Sequence, residues 1–315
     1  MRFGQNLLND ISEKILKCEL PYEDTIIIGD NSIGKSLLLK LFLEKMEDNK
    51  LIYFIDAVNR TFDVTKITKK IEKPEYKLTV RNTRLDEAHF NLQDSFNCYG
   101  TMTERIEQIY SAFETELQDM FYELTNDKFE VLYGNALGEV KFGEKNGLLS
   151  SGYQAMVRLL LELLYFTQMG LGETCNQRAW VIIDEIDEFL SPRYAARIFG
   201  FFREKFPRLK FIVTTHSSDL VKTAKDANLI ILDIEGYEVM DVNDYYTVSE
   251  VQTIFNRVFG ELSMEEPSVE DVLRRLINNK INKAWSTKDE EILQELTKEQ
   301  LSASQQLIYK QIVEW

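Results

Sequence analysis

Short apolar runs punctuate the chain, and each ends abruptly in small or polar residues. TIIIG (25–29), LIYFIDA (51–57), AWVII (179–183), LKFIVT (209–214) and ANLIILD (227–233) have the length and continuous hydrophobicity of buried strands. Between them the period changes to that of helices. Residues 1–20 set Leu7, Leu8, Ile11, Ile15 and Leu16 on one face. The segment 101–124 opens with a capping box from Thr101 to Glu104. It then carries Ile106, Ile109, Tyr110, Phe113, Leu117, Met120, Phe121 and Leu124 at helical spacing. Residues 128–148 alternate around glycines, which predicts a hairpin, and an amphipathic helix follows from Ala155. Beyond residue 245 the chain reads as helical and acidic. One helix starts at Pro267–Ser268 with a face of Val269, Val272, Leu273, Leu276, Ile277 and Ile281. A final helix from about Ser302 to Trp315 carries Leu307, Ile308 and Ile312. Strands alternating with helices predict an α/β fold. The expected organisation is a core over 1–245, with a helical lobe at about 85–130 inserted in it, and a C-terminal helical region over 246–315.

The loop after the first strand carries the most specific chemistry. It reads Gly29-Asp30-Asn31-Ser32-Ile33-Gly34-Lys35-Ser36, the G-x-x-x-x-G-K-S pattern, and a leucine-rich helix follows. Glycines let such a loop turn tightly and aim backbone N–H groups at phosphate oxygens, and the helix N-terminus adds its positive dipole end. Lys35 is placed to reach the β- and γ-phosphates and Ser36 to bind Mg²⁺. This lysine is expected to face an empty loop without nucleotide, so that its loss barely alters stability. The third strand ends in adjacent carboxylates. Asp184 is a Mg²⁺ ligand candidate, direct or through water, and Glu185 a candidate base for the attacking water. One strand further on stands His216, one of only two histidines in the chain. Alone it reads as an ordinary packed histidine; after the acidic pair it becomes a candidate γ-phosphate contact. Ser150, Ser151 and Gly152 open the amphipathic helix and offer a second anion site, although serine there also reads as a plain helix cap.

Taken in this order, the four motifs resemble those of the ABC-type ATPases, a class that includes the SMC-type, RecF-like and OLD-like (overcoming lysogenization defect) proteins. The resemblance spans residues 23–236. It implies a P-loop ABC-type ATPase core that binds ATP and Mg²⁺ and hydrolyses ATP slowly, with a helical lobe that swings when ATP binds. It also implies a head-to-tail homodimer or higher homo-oligomer in which Ser150 to Gln154 of one copy complete the ATP site of another. The segment IDEFLSPR after Glu185 is similar to the OLD-like branch, which tends to carry leucine–x–proline there. Transporter-type members carry proline directly after the glutamate, where this chain has Ile186. The branch usually begins with antiparallel strands and an adenine-stacking aromatic. Here the first 20 residues read as a helix, and Tyr22 is a weak candidate for the platform. No glutamine follows the second strand; Asn59 and Arg60 stand in its place. The 101–124 helix is far too short for an SMC-type arm.

Composition narrows the biology. Net charge is −15, which opposes general affinity for nucleic acid. The exception is the stretch 65–84, with Lys66, Lys69, Lys70, Lys73, Lys77, Arg81 and Arg84. It reads equally as a solvated lysine-rich edge or as a phosphate-contacting patch. No apolar run approaches the ~20 residues that span a bilayer, and no signal-peptide pattern opens the chain. Cys18, Cys98 and Cys175 have neither zinc-site spacing nor an even count, consistent with free thiols in a cytoplasmic protein. No second catalytic constellation is visible. The expectation is therefore a cytoplasmic ATP-dependent switch that governs a separately encoded effector, within the OLD-like resemblance a bacterial anti-phage defence module. A DNA-repair or chromosome-associated ATPase and a non-hydrolysing ATP-bound scaffold are the alternatives.

Overall fold

The structure is a computed structural model that describes residues 5–46, 49–57, 60–71, 74–76, 103–171, 178–233, 236–244 and 248–259, with parts of 272–314. Its centre is a six-stranded sheet. In chain order the strands used below are β1 (Thr25–Gly29), β2 (Ile52–Ile55), β3 (Glu75–Tyr76), β4 (Thr103–Glu104), β5 (Glu130–Val131), β6 (Val140–Phe142), β7 (Lys145–Gly147), β8 (Ala179–Ile183), β9 (Leu209–Thr214), β10 (Asn228–Leu232) and β11 (Tyr237–Asp241). The sheet runs β11-β10-β1-β9-β8-β2, all parallel except the antiparallel edge β11.

Both faces of this sheet are covered, which is why its strands read as unbroken apolar runs. Alternation along each strand divides the core in two. Ile27, Ile52, Phe54, Trp180, Ile182, Ile212, Ile230 and Leu232 face helices α1 (Gln5–Leu16) and α2 (Lys35–Lys45). Ile26, Ile28, Tyr53, Ile55, Val181, Ile183, Phe211 and Val213 face the other layer. That layer holds α3 (Tyr110–Thr125), α4 (Ser151–Leu164) and α5 (Pro192–Lys205), whose Leu117, Leu160 and Phe202 are wholly buried. The opening helix is α1; it buries Leu8, Ile11 and Ile15 but leaves Leu7 40% exposed.

The expected 101–124 helix begins later. Thr101 lies outside the described residues. Thr103 and Glu104 pair with β3, Arg105 takes a left-handed conformation (φ 62°), and a 3-10 turn over Ile106–Ile109 precedes α3. The cause is a buried polar network that holds the chain extended at Thr103. Its hydroxyl meets Tyr53 Oη at 2.6 Å, and its carbonyl accepts from Arg158 Nη2 at 2.7 Å. Arg158 in turn donates through Nε to Glu162 Oε1 at 2.7 Å and faces Glu107 at 3.7 Å, while Tyr53 donates to the other Glu162 oxygen. All the apolar positions assigned to this segment are buried nonetheless. The glycine-rich stretch forms a three-stranded meander, β5-β6-β7, with a two-residue turn at Gly143–Glu144.

The chain divides into two compact units, residues 1–259 and 260–315. In the first, α6 (Ser218–Thr223) follows β9, and α7 (Val248–Phe259) packs on α6 and β1. The second contains α8 (Thr287–Leu296) and α9 (Ala303–Glu314), with Leu273, Leu276, Leu293, Leu296 and Ile312 in its own core. The helix start at Pro267–Ser268 and the first part of the 85–130 lobe, up to residue 102, lie outside the described residues. No described helix is long and apolar enough to cross a membrane.

Candidate nucleotide site

The strand order brings the predicted loops together. β2, β8, β9 and β1 are consecutive and parallel, so the segments at their carboxyl ends lie side by side, where open α/β sheets bind ligands. Those segments begin with Asp56, Asp184, Thr215 and Asp30.

Gly29 closes β1 where side chains do not fit: a Cβ there would stand 2.8 Å from Ile33 Cγ2 and 2.9 Å from the Leu232 carbonyl oxygen. Ser32 (φ 64°) and Gly34 (φ 118°) give the loop its turns, and α2 starts at Lys35. Lys35 is buried, and its ammonium is not facing an empty loop. It donates to the Gly29 carbonyl at 2.8 Å and to the Asp30 carbonyl at 3.1 Å. Burial pushes its pKa down, against the pull of Asp184, Glu185 and Asp30. The lysine therefore braces the loop it grows from, a contact that the motif itself does not reveal.

Ser36 donates to Asp184 Oδ2 at 3.4 Å, which sets a hydroxyl beside a carboxylate, the hard-oxygen pairing suited to Mg²⁺. The other Asp184 oxygen accepts from Thr214 Oγ1 at 2.6 Å. The same threonine oxygen accepts from the Glu185 N–H at 2.7 Å, and the Thr214 carbonyl accepts from Ile186 N–H at 3.0 Å. One residue of β9 thus latches the turn after β8 at three points and holds Glu185 in a left-handed conformation (φ 50°). Burial, with Asp184 and Glu188 nearby, raises the Glu185 carboxyl to about 7. His216 Nε2 lies 3.8 Å from Glu185 Oε1; burial and Lys35 push the imidazole pKa down, favouring its neutral form.

Asn59 lies outside the described residues, but Arg60 is placed. Its guanidinium is buried and donates through Nη2 to the Asp184 carbonyl at 2.7 Å, while Nε and Nη1 have no hydrogen-bond partner among the described residues. Tyr22 is committed elsewhere: its hydroxyl donates to Asp241 Oδ2 at 2.7 Å and accepts from Asn243, and its backbone meets Asn228. It holds the β10–β11 edge to the start of β1 rather than standing free as a platform. Thr214 is the residue sequence reasoning passed over. Its signal was a hydroxyl pair, Thr214–Thr215, closing an otherwise apolar strand; Thr215 hydrogen-bonds Asp187.

The Ser150 segment is built separately. Ser150 is exposed and caps α4, its hydroxyl accepting from Tyr153 N–H at 3.3 Å; Ser151 is exposed beside it. Gln154 Nε2 ties back to the Leu149 carbonyl at 2.9 Å. A Cβ on Gly152 would stand 2.9 Å from the Phe189 carbonyl oxygen, so the segment after Glu185 lies directly against this helix start. Among the described residues no cluster of three His, Cys, Asp or Glu side chains is arranged for a metal ion.

A parallel sheet covered by helices on both faces, with a G-x-x-x-x-G-K-S loop beside the carboxylates that follow β8, defines a P-loop ATPase core of the ABC type. The family described as "AAA domain, putative AbiEii toxin, Type IV TA system" matches residues 47–222, more than half of the chain, and the chain belongs to it. That match begins beyond the Gly29–Ser36 loop. The chain is similar to the Septu protein PtuA of Bacillus thuringiensis, 28% identical over 120 residues, which cover 36% of this chain and 29% of the relative. It is 30% identical over 99 residues to the Septu protein PtuA of Bacillus mycoides (strain KBAB4), covering 30% of this chain and 14% of that protein. The similarity thus spans less than a third of either relative's length. Among solved structures, an ATP-binding cassette of an ABC transporter in its ADP conformation aligns with TM-score 0.39 at 15% identity, over 74% of this chain and 88% of that one. The SMC head domain from Thermotoga maritima aligns with TM-score 0.30 at 18% identity, over 44% and 51%.

Proposed function

We propose that this chain is a cytoplasmic ATPase that uses slow ATP hydrolysis as a switch over a separately encoded effector, in bacterial anti-phage defence. The observation that carries the ATPase reading is the convergence of Lys35, Ser36, Asp184 and Glu185 on neighbouring strand ends. In this reading Lys35 leaves the Gly29 and Asp30 carbonyls to meet the β- and γ-phosphates, while backbone N–H groups over Asp30–Gly34 cradle them. Ser36 and Asp184 hold Mg²⁺, which neutralises phosphate charge when bound. Glu185 accepts the proton of the attacking water, and neutral His216 contacts the γ-phosphate. Ser150, Ser151 and Gly152 of a second copy complete the site, a reading supported by the exposure of Ser150 and Ser151. The defence reading is supported by the OLD-like sequence features and by the toxin–antitoxin description of the family.

The pH dependence of ATP turnover tests the chemistry. A base with a carboxyl near 7 is protonated and idle in acid, so kcat/KM should rise about tenfold per pH unit up to about 7 and level off above. Mg²⁺ is kept in excess throughout so that the nucleotide's own ionisation does not contribute. A flat profile between weakly acidic and weakly alkaline pH rules Glu185 out as the base.

A further inference from the structure

Helix α7 (Val248–Phe259) buries Val251, Ile254, Phe255 and Val258, an i, i+3, i+4, i+7 stripe that fixes it on α6 and β1. Phe259, the last residue of the helix, extends this stripe one turn beyond Phe255, with the two ring centroids 5.1 Å apart. The Phe259 ring also lies 5.1 Å from the His216 imidazole, at 48° to it. Among the described residues no hydrogen bond holds that imidazole. Charges on the loops of the candidate site also act on it: Glu185 at 3.8 Å, with Lys35, Asp187, Asp184 and Asp30 close enough to be felt. Carboxylates and an ammonium that must rearrange around any phosphate thus act on the imidazole, and the half-buried Phe259 ring, packed against the core, touches it from helix α7.

We propose that Phe259 is a positioning residue: its ring holds the His216 imidazole beside Glu185, so that the nucleotide step depends on how helix α7 ends. This deepens the ATPase reading above and rests on it. Phe259 is also the last residue of the first compact unit, and the chain passes at Gly260 into the second.

The test uses the full chain and four variants, Phe259→Ala, Phe259→Leu, Phe259→Tyr and His216→Ala, with the Phe259→Ala/His216→Ala double change. Misplacing a catalytic contact by about 1 Å costs up to ~10²-fold, so Phe259→Ala should lower kcat by roughly 10–100-fold and leave KM for ATP within about threefold. The double variant should be no slower than His216→Ala, because the two residues act as one unit. Phe259→Tyr should restore turnover, whereas Phe259→Leu, which keeps the apolar volume and the fold, should not. NMR supplies a readout that does not need turnover. With only two histidines in the chain, the His216 ring protons are assignable, and the ring-current shift imposed by Phe259 should vanish in Phe259→Leu. Turnover of Phe259→Leu equal to that of the parent, additive losses in the double variant, or an unmoved His216 resonance overturns the proposal. A normal ring-current effect in a chain with no Glu185-dependent turnover instead overturns the ATPase reading and leaves the contact itself demonstrated.

Discussion

Glu185→Gln is expected to slow ATP turnover by about 10²–10⁴-fold while leaving ATP and Mg²⁺ binding intact. The amide cannot accept a proton, yet it preserves the volume of the side chain and the Glu185 N–H bond to Thr214 that fixes the turn. Lys35, Ser36 and Asp184 are untouched by the change. If two copies share the nucleotide, ATP trapped in this variant should hold them together, because Ser150 and Gly152 of one copy would grip the γ-phosphate bound to the other. Adding Ser150→Arg should undo that association. Ser150 is exposed, so a long side chain projects outward without disturbing the core, at a cost of about 1 kcal/mol for the lost helix cap. The measurement is mass in solution with and without ATP and Mg²⁺. An unchanged mass for Glu185→Gln, or a gain that survives Ser150→Arg, removes the shared-nucleotide dimer from consideration.

Lys35→Ala is the second large effect, with ATP affinity expected to fall at least about a hundredfold, since charge-assisted hydrogen bonds contribute some 1.5–3 kcal/mol each. Calorimetric titration with ATP–Mg²⁺ measures it directly, and affinity equal to that of the parent chain would sink the phosphate-loop assignment. The same variant should lose protection in a phage plating assay. Its stability without nucleotide has two opposed contributions. The Gly29 and Asp30 carbonyls lose their donor, which loosens the loop, while a desolvated ammonium is removed from a buried position. Lys35→Met removes the ammonium and its hydrogen bonds together, as Lys35→Ala does, but keeps the apolar stem. The difference in thermal midpoint between the two variants then reports the packing of the stem.

The parallel strands and their flanking helices were legible because burial on both faces leaves unbroken apolar runs that little else in this chain imitates. The Gly29–Ser36 loop was legible because its residue types are dictated locally, by turns, close approach and phosphate geometry. What escaped the sequence depended on partners far along the chain. The latch made by Thr214 joins residues 30 positions apart, and nothing in LKFIVTTH alone says that its hydroxyl sits against Asp184. Arg105 broke a helix whose apolar spacing was sound, because Arg158 and Tyr53 claim Thr103 from across the fold. Tyr22 had the right residue type near the right strand, yet Asp241 and Asn243 had already engaged its hydroxyl. Local physics therefore locates the loops, and long-range pairing decides what each side chain in them is free to do.

The buried ion pair of Arg158 with Glu162 and Glu107 constrains how this protein can change over generations. Deleting one member of such a group strands an uncompensated charge, at a cost of about 3–5 kcal/mol, a large part of a domain's whole stability. Exchanging all members together for apolar residues of similar volume is close to neutral. The two states are therefore separated by a valley that single substitutions rarely cross. In an alignment of relatives, positions 107, 158 and 162 should change as a block or not at all. A lineage carrying leucine at 158 beside two retained glutamates would show that some other cation has taken over its place.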